Sequence, residues 1–437
     1  MTAAERSARS SEAVDRAIAQ VSPRQLREIV VGLVNVPSPT GEERPLAEWA
    51  AARLVDAGVD ARVQPLDARQ ANAVAKLPGA GEGPSLLLYA PIDTLTTGDP
   101  AEDEPWAAPR LRADMRPEAV VDGDFVLGLG ASNPKGHAAC VMAAGEAIRA
   151  AGITLAGDLW IGLGAGGMPT HRRTPSELGR ENTGQGVGCS FLVEQGVYPD
   201  HALIAKPGWT VAWEEVGLCW FEVTVHGTFG YVGSRHRMPY VNPVVEAGRV
   251  INDLESWFVA YSRRHTGGLV APQGNIGAIE GGWMRMPAVS SSAVRFMVDL
   301  RVGPDTPPNL ARREFAAAMR EISARHQGLD ISWEMVLAIP GTATPTDDAV
   351  VQAAIRAWEA EEGRPHEVIR ENSGATDANI LRGRGIPTAR IGMTRIGPDA
   401  PVPLDFPSGM NVVDIREMTR LTRHLIRTAL DVCEPVD

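Results

Sequence analysis

The chain has little that would serve thiol, membrane or nucleic-acid chemistry. Its four cysteines, Cys140, Cys189, Cys219 and Cys433, are scattered without any Cys-x-x-Cys spacing, so neither a disulfide framework nor a thiolate zinc site is indicated. No apolar run approaches the roughly 20 residues that a membrane-spanning helix needs. The stretch Met1 to Gln20 is polar and alternately charged, with no apolar segment of the kind a secretory signal carries. No run of Lys or Arg marks a basic face, and the formal net charge is −12. That balance argues against nucleic acid or an anionic membrane surface as partner. The nine histidines include no pair at the i,i+4 spacing of a helical metal clamp. A cytoplasmic, reduced setting is the expectation.

What is present is ordinary for a soluble enzyme: 437 residues, 44% hydrophobic and 22% charged, long enough that two domains are expected. Up to about Val21 the chain is polar and Ala-rich, a frayed helix or arm. Ser22-Pro23 then starts a helix, since Ser caps free N–H groups and Pro suits the first helical position. A second helix runs from about Arg44 to Ala57. Short apolar strands alternate with helices afterwards: Ala73–Leu77, Ser85–Ala90, a helix from His137 to about Ala150, then Gly157–Leu163. This reads as a mostly parallel, helix-covered sheet. From Gly217 the texture changes to alternating strands (Cys219–Val225, Gln273–Glu280, Ala293–Val302, Leu329–Val336) and helices (Pro243–Tyr261, Leu310–His326). Strand-helix-strand-strand-helix-strand is the order of a ferredoxin-like unit. The α/β texture resumes with a helix Asp347–Glu361, strands His366–Arg370 and Thr388–Ile391, and a last helix Ile415–Cys433. Residues 1–215 and 340–437 are therefore expected to form one α/β domain, with 216–339 inserted into it.

Three strand-to-turn stretches carry the most information: Leu86-Leu87-Leu88-Tyr89-Ala90-Pro91-Ile92-Asp93-Thr94, Gly128-Leu129-Gly130-Ala131-Ser132-Asn133-Pro134-Lys135-Gly136, and Ala202-Leu203-Ile204-Ala205-Lys206-Pro207. Each brings an apolar strand into a tight turn, where an open α/β sheet presents its chemistry. In this order, with Pro37-Ser38-Pro39-Thr40-Gly41-Glu42-Glu43 before them, they resemble the aminoacylase, acetylornithine deacetylase, succinyl-diaminopimelate desuccinylase and glutamate carboxypeptidase family of dizinc peptidases. The resemblance extends over nearly the whole chain. It implies a zinc-peptidase-like α/β catalytic domain with an inserted ferredoxin-like α+β lid or dimerisation domain, and a homodimer.

The same resemblance implies that the metal ligands are gone. The first stretch should read Gly-His-x-Asp, and the His position holds Pro91. The bridging Asp position holds Asn133, and the carboxylate ligand position holds Lys206, whose cation repels a metal. Where the catalytic Glu pair belongs, the chain reads Leu163-Gly164-Ala165-Gly166-Gly167-Met168. The last His falls at about Pro407, and the His of the small domain at Tyr231. Neither His137 nor His171, the histidines nearest the expected cleft, replaces them. No metal and no other cofactor is expected, since a dizinc site needs His and carboxylate donors.

Chemistry remains in what was kept. Asp93, whose counterpart in the resemblance orients the metal-binding His, has no His to orient here and is either free for catalysis or a turn carboxylate. Lys206 either supplies the lost positive charge, acting as base or nucleophile, or fills an emptied cavity in an ion pair. His137 begins a helix near the cleft, where a neutral imidazole suits a general base. Asp93, Lys206 and His137 are the catalytic candidates. Asn133 and Tyr231, at replaced positions, join the substrate-binding candidates. Arg301 resembles the family's carboxylate-binding Arg. Thr376 and Asp377 resemble its Gly-x-Thr-Asp loop, with a surface Arg and a helix cap as the plain alternatives. The expected partner is a small molecule with an amino-acid-like carboxylate. The expected function is a metal-independent enzyme of amide hydrolysis, acyl transfer or proton transfer. The alternative is a non-catalytic binding or scaffold protein.

Overall fold

In the computed structural model, residues 3–81, 83–170, 184–326 and 328–436 are described. The chain divides into two compact units, Met1–Trp213 with Thr344–Val368 and Thr376–Asp437, and Glu214–Ala343 with Ile369–Ala375.

The first unit is built on a six-stranded sheet of β1 (Asp60–Pro65), β2 (Ala71–Leu77), β3 (Leu86–Pro91), β4 (Leu159–Gly164), β5 (His201–Ala205) and β6 (Thr388–Ile391), in the order β1-β2-β4-β3-β5-β6. Strands β4, β3, β5 and β6 run parallel. All residues of β3 are buried, as expected of a strand covered by helices on both faces, and that is why it reads as a continuous apolar run. Strands β1 and β2 depart from the parallel pattern. They form an antiparallel hairpin, and β2 runs antiparallel to β4. The hairpin follows from its short turn, in which the Asp67 carboxylate accepts the N–H groups of Arg69 and Gln70, both at 2.7 Å. A parallel neighbour would need a long crossover instead.

Helix Lys135–Ala150 is buried on nearly every side, and the final helix Ile415–Cys433 packs against it and against helix Ala349–Glu362. The N-terminal segment is a helix, Ala3–Ile18, whose Ala13 and Ala17 join the main core. The strand expected at His366–Arg370 does not form. Those residues belong to no sheet, and the chain makes only an isolated bridge from Asn372 to Val270. The β-propensity of that stretch finds no partner edge, because β6 supplies the strand beside β5.

The second unit is a ferredoxin-like α+β fold. Its four antiparallel strands are Gly274–Gly281, Ala293–Val302, Gly217–His226 and Ile331–Ile339, in that spatial order. Helices Pro243–His265 and Pro308–Arg325 cover its apolar face. One side of strand Ala293–Val302 is buried at every second residue, which gives the alternation visible in the sequence. Phe221 stacks on Phe315 at 4.0 Å in this separate core.

Candidate functional site

The carboxyl ends of β3, β4, β5 and β6 lie at one edge of the sheet, where Pro91, Gly164, Ala205 and Ile391 end their strands. An open α/β sheet places its site at such an edge. Asp93, just past β3, is fully buried. Its carboxylate accepts the N–H groups of Gly167 and Met168, each at 2.8 Å, and the Thr40 hydroxyl at 2.7 Å. Asp93 therefore ties the turn after β4 to the Pro39–Gly41 segment. A carboxylate that accepts this many donors is satisfied in burial.

Glu43 stands behind the same turn and is also fully buried. Its Oε1 accepts the N–H groups of Gly41 and Gly166, both at 2.9 Å, and the Gln70 amide at 3.3 Å. Its Oε2 has no hydrogen-bond partner. Burial, and next the negative charge of Asp93, push this carboxyl up to about 7. Gly166 adopts φ 60°, the left-handed region that favours glycine, in the stretch where the resemblance places paired glutamates.

Lys206 follows β5 and is 8% exposed. Its Nζ donates to Asn133 Oδ1 at 3.3 Å, while Asn133 Nδ2 faces the Met410 sulfur at 3.4 Å. His137 lies close by, wholly buried. Its Nδ1 hydrogen-bonds the Ser132 carbonyl at 2.8 Å, and its Nε2 accepts the Met393 N–H at 3.3 Å. Burial first, then the cations Lys206 and Arg390, push the imidazole down to about 3. The ring is thus neutral, as expected, but both nitrogens are used by the backbone. A general base needs a lone pair that reaches substrate, and in this arrangement both His137 nitrogens face backbone groups. Among the described residues no hydrogen bond or ion pair joins Asp93, Lys206 and His137. His171 lies outside the described residues.

Of the binding candidates, Asp377 accepts the Tyr89 hydroxyl at 2.7 Å, and the Thr376 hydroxyl accepts the Ala378 N–H at 3.1 Å just before helix Ala378–Gly383. Burial and then Asp377 hold the Tyr89 phenol well above its usual range. Arg301 and Tyr231 belong to the second unit. The Arg301 guanidinium donates to Asp299 at 2.8 Å and to the Ser373 carbonyl at 3.4 Å. Tyr231 is exposed, on a short strand paired with Val289.

A cavity of about 360 Å³ opens beside Asn133, between the Thr94–Met115 segment and helix Phe406–Asn411, and Pro407 forms part of its wall. The sequence reading assigned roles neither to this cavity nor to Glu43 and Tyr89. The signals for them were the second Glu of the Thr-Gly-Glu-Glu stretch and a Tyr inside an otherwise aliphatic strand.

No protein-family model matches the chain. Its fold is shared with solved peptidase structures. The dipeptidase Dug1p from Saccharomyces cerevisiae is 12% identical, with a TM-score of 0.71 over 98% of this chain and 99% of that one. Human carnosine dipeptidase 1 is 14% identical, with a TM-score of 0.70 over 97% and 99%. An M20 family metallo-carboxypeptidase from Sulfolobus solfataricus is 14% identical, with a TM-score of 0.67 over 93% and 98%. At the positions where the resemblance places metal ligands, the side chains of Pro91, Asn133, Lys206 and Pro407 offer no anionic donor.

The Glu43 geometry sets a pH dependence. Its folded value lies above the ordinary 4.5, so between about pH 4.5 and 7 the folded chain holds a proton that the unfolded chain has released. Stability from this group is therefore complete below that window and is lost as pH rises through it. Glu43→Gln removes the titration. Chemical denaturation at stepped pH is expected to show the wild type losing stability relative to Glu43→Gln from pH 4.5 to above 7. A difference that stays constant with pH contradicts this.

Proposed function

We propose that the protein is an enzyme on a peptidase/amidohydrolase scaffold that acts on a small amino-acid-like carboxylate compound without a metal centre. The observation that carries this reading is the Lys206–Asn133 pair, 3.3 Å apart. On the resembled frame it stands where a carboxylate ligand and a bridging carboxylate would hold two metal ions. The ammonium puts a fixed positive charge at that place, and such a charge stabilises an oxyanion as it develops. Amide hydrolysis is the hardest of the candidate reactions, because no metal hydroxide is generated at neutral pH. Acyl transfer from an activated donor, or abstraction of an acidic C–H proton, asks less of Lys206. Arg301 is the candidate carboxylate clamp, and the Asp299 beside it orients its guanidinium.

A second reading, a non-catalytic binder of the same class of molecule, is favoured by one observation. The Asp93 and His137 side chains are wholly engaged by backbone and Thr40. Lys206→Met separates the two readings, since Met keeps the stem volume without the charge. Under the enzyme reading, turnover falls by orders of magnitude while the thermal unfolding midpoint stays near that of the wild type. Full turnover at saturating substrate in Lys206→Met sinks that reading. Arg301→Ala is expected to weaken substrate binding by about 10- to 100-fold, the range for a hydrogen bond to a charged group, with a smaller change in kcat.

The proposal extends to assembly. Isologous pairing is the commonest oligomer, and the second unit is the expected interface of a homodimer. Light scattering at micromolar concentration should return the dimer mass. A sharp monomer mass contradicts it.

A further inference from the structure

The cavity beside Asn133 has the features of a built binding site for one kind of chemical group. Its walls are apolar, with Leu95, Trp106, Leu129, Phe406 and Met410 among the lining residues. Trp106 is 87% exposed and Phe406 69%. Two large aromatics left in water at one mouth lose the burial that such side chains ordinarily gain, and exposed clusters of this kind mark interaction sites. The rim is also held in place. Asp103 accepts the N–H groups of Thr97 and Gly98, at 3.1 and 2.6 Å, beneath the loop that carries Leu95 and Trp106. Phe406 begins its helix on a reciprocal Asp405–Ser408 cap, and Arg112 bridges Asp405 at 2.6 Å and Asp114 at 2.9 Å. A site fixed in this way costs little ordering on binding.

The polar lining is Thr94, Thr96, Glu102, Asp103, Asn133 and Asn411, and of these Asn133 sits beside Lys206. Asn133 Oδ1 is taken by Lys206, and its Nδ2 is left against the Met410 sulfur at 3.4 Å. A thioether is a weak acceptor, so a carbonyl oxygen entering there gains a stronger hydrogen bond than the one it displaces. The Asp103 oxygens accept the Thr97 and Gly98 N–H groups, and Glu102 is the other carboxylate of the lining. A volume of about 360 Å³ is at the small end of ligand pockets.

We infer that this cavity binds an aromatic or branched apolar group carrying a carbonyl oxygen, with the group between Trp106 and Phe406 and the oxygen on Asn133 Nδ2. The site rests on the proposed function only at its polar end, where Lys206 would add attraction for a carboxylate. It turns the place of the last metal-binding His, Pro407 on the resembled frame, into the wall of an apolar subsite.

The test uses the full-length chain and three probes, phenylacetamide, phenylacetate and acetamide, with affinities from NMR titration. Phenylacetamide should bind at least tenfold more tightly than acetamide. Trp106→Ala combined with Phe406→Ala should weaken it at least tenfold, and both side chains are exposed enough for the fold to survive. Asn133→Ala should weaken both phenyl probes similarly, and Ala107→Trp, which fills the cavity, should abolish their binding. Equal affinity for phenylacetamide and acetamide, or an unchanged affinity in the double variant with its unfolding midpoint preserved, overturns the inference. Lys206→Met separates it from the functional reading. Loss of phenylacetate affinity alone supports a carboxylate lying toward the ammonium. Unchanged affinity for both probes removes Lys206 from the site and leaves the apolar pocket standing.

Discussion

Two buried carboxylates that share one turn set the shape of this site. Asp93 and Glu43 both grip the backbone between Gly166 and Met168, and neither is exposed to water. Two charges so placed would repel in a medium of low dielectric. The conflict is resolved by unequal solvation. Asp93 receives donors on both oxygens, while Glu43 concentrates its donors on Oε1 and is pushed up toward neutrality. The glycine turn after β4 lies against Pro91 at the end of β3.

The opposite side of the strand edge is organised by cations. Lys206 and Arg390 both disfavour a proton on His137, and burial does so more strongly. The neutral imidazole can then serve as a brace, with one nitrogen on Ser132 and the other on Met393. That brace links the loop before helix Lys135–Ala150 to the segment after β6, and it holds Asn133 where Lys206 reaches it. Gly392 has no room for a side chain, since a β-carbon there would overlap the Lys206 carbonyl. The positive charge and the amide of the candidate site are thus positioned by groups that carry no chemistry of their own.

The sequence made the architecture legible because buried parallel strands must be apolar throughout and the ferredoxin-like strands must alternate. Leu86–Ala90 and Cys219–Val225 show those two patterns directly. The antiparallel β1–β2 hairpin was not legible, since strand direction depends on a turn closed by Asp67. The site was read at the level of residue type and missed at the level of burial. His137 sits at a helix start in the sequence, and nothing local announces that Ser132 and Met393 use both its nitrogens. Glu43 lies just before the helix expected from Arg44, and its perturbation comes from burial and from Asp93, fifty residues later. The apolar cavity joins residues near 94–115 with residues near 406–411, a juxtaposition that no spacing in the chain encodes.

In the proposed reading, an ammonium and an amide stand where the resembled frame would hold two metal ions. Metal content by plasma mass spectrometry, followed by calorimetric zinc titration of the same purified protein, tests it most directly. The expected result is far less than one zinc or manganese per chain and no stoichiometric uptake on titration. Tightly held stoichiometric metal, with loss of function on chelation, would contradict it.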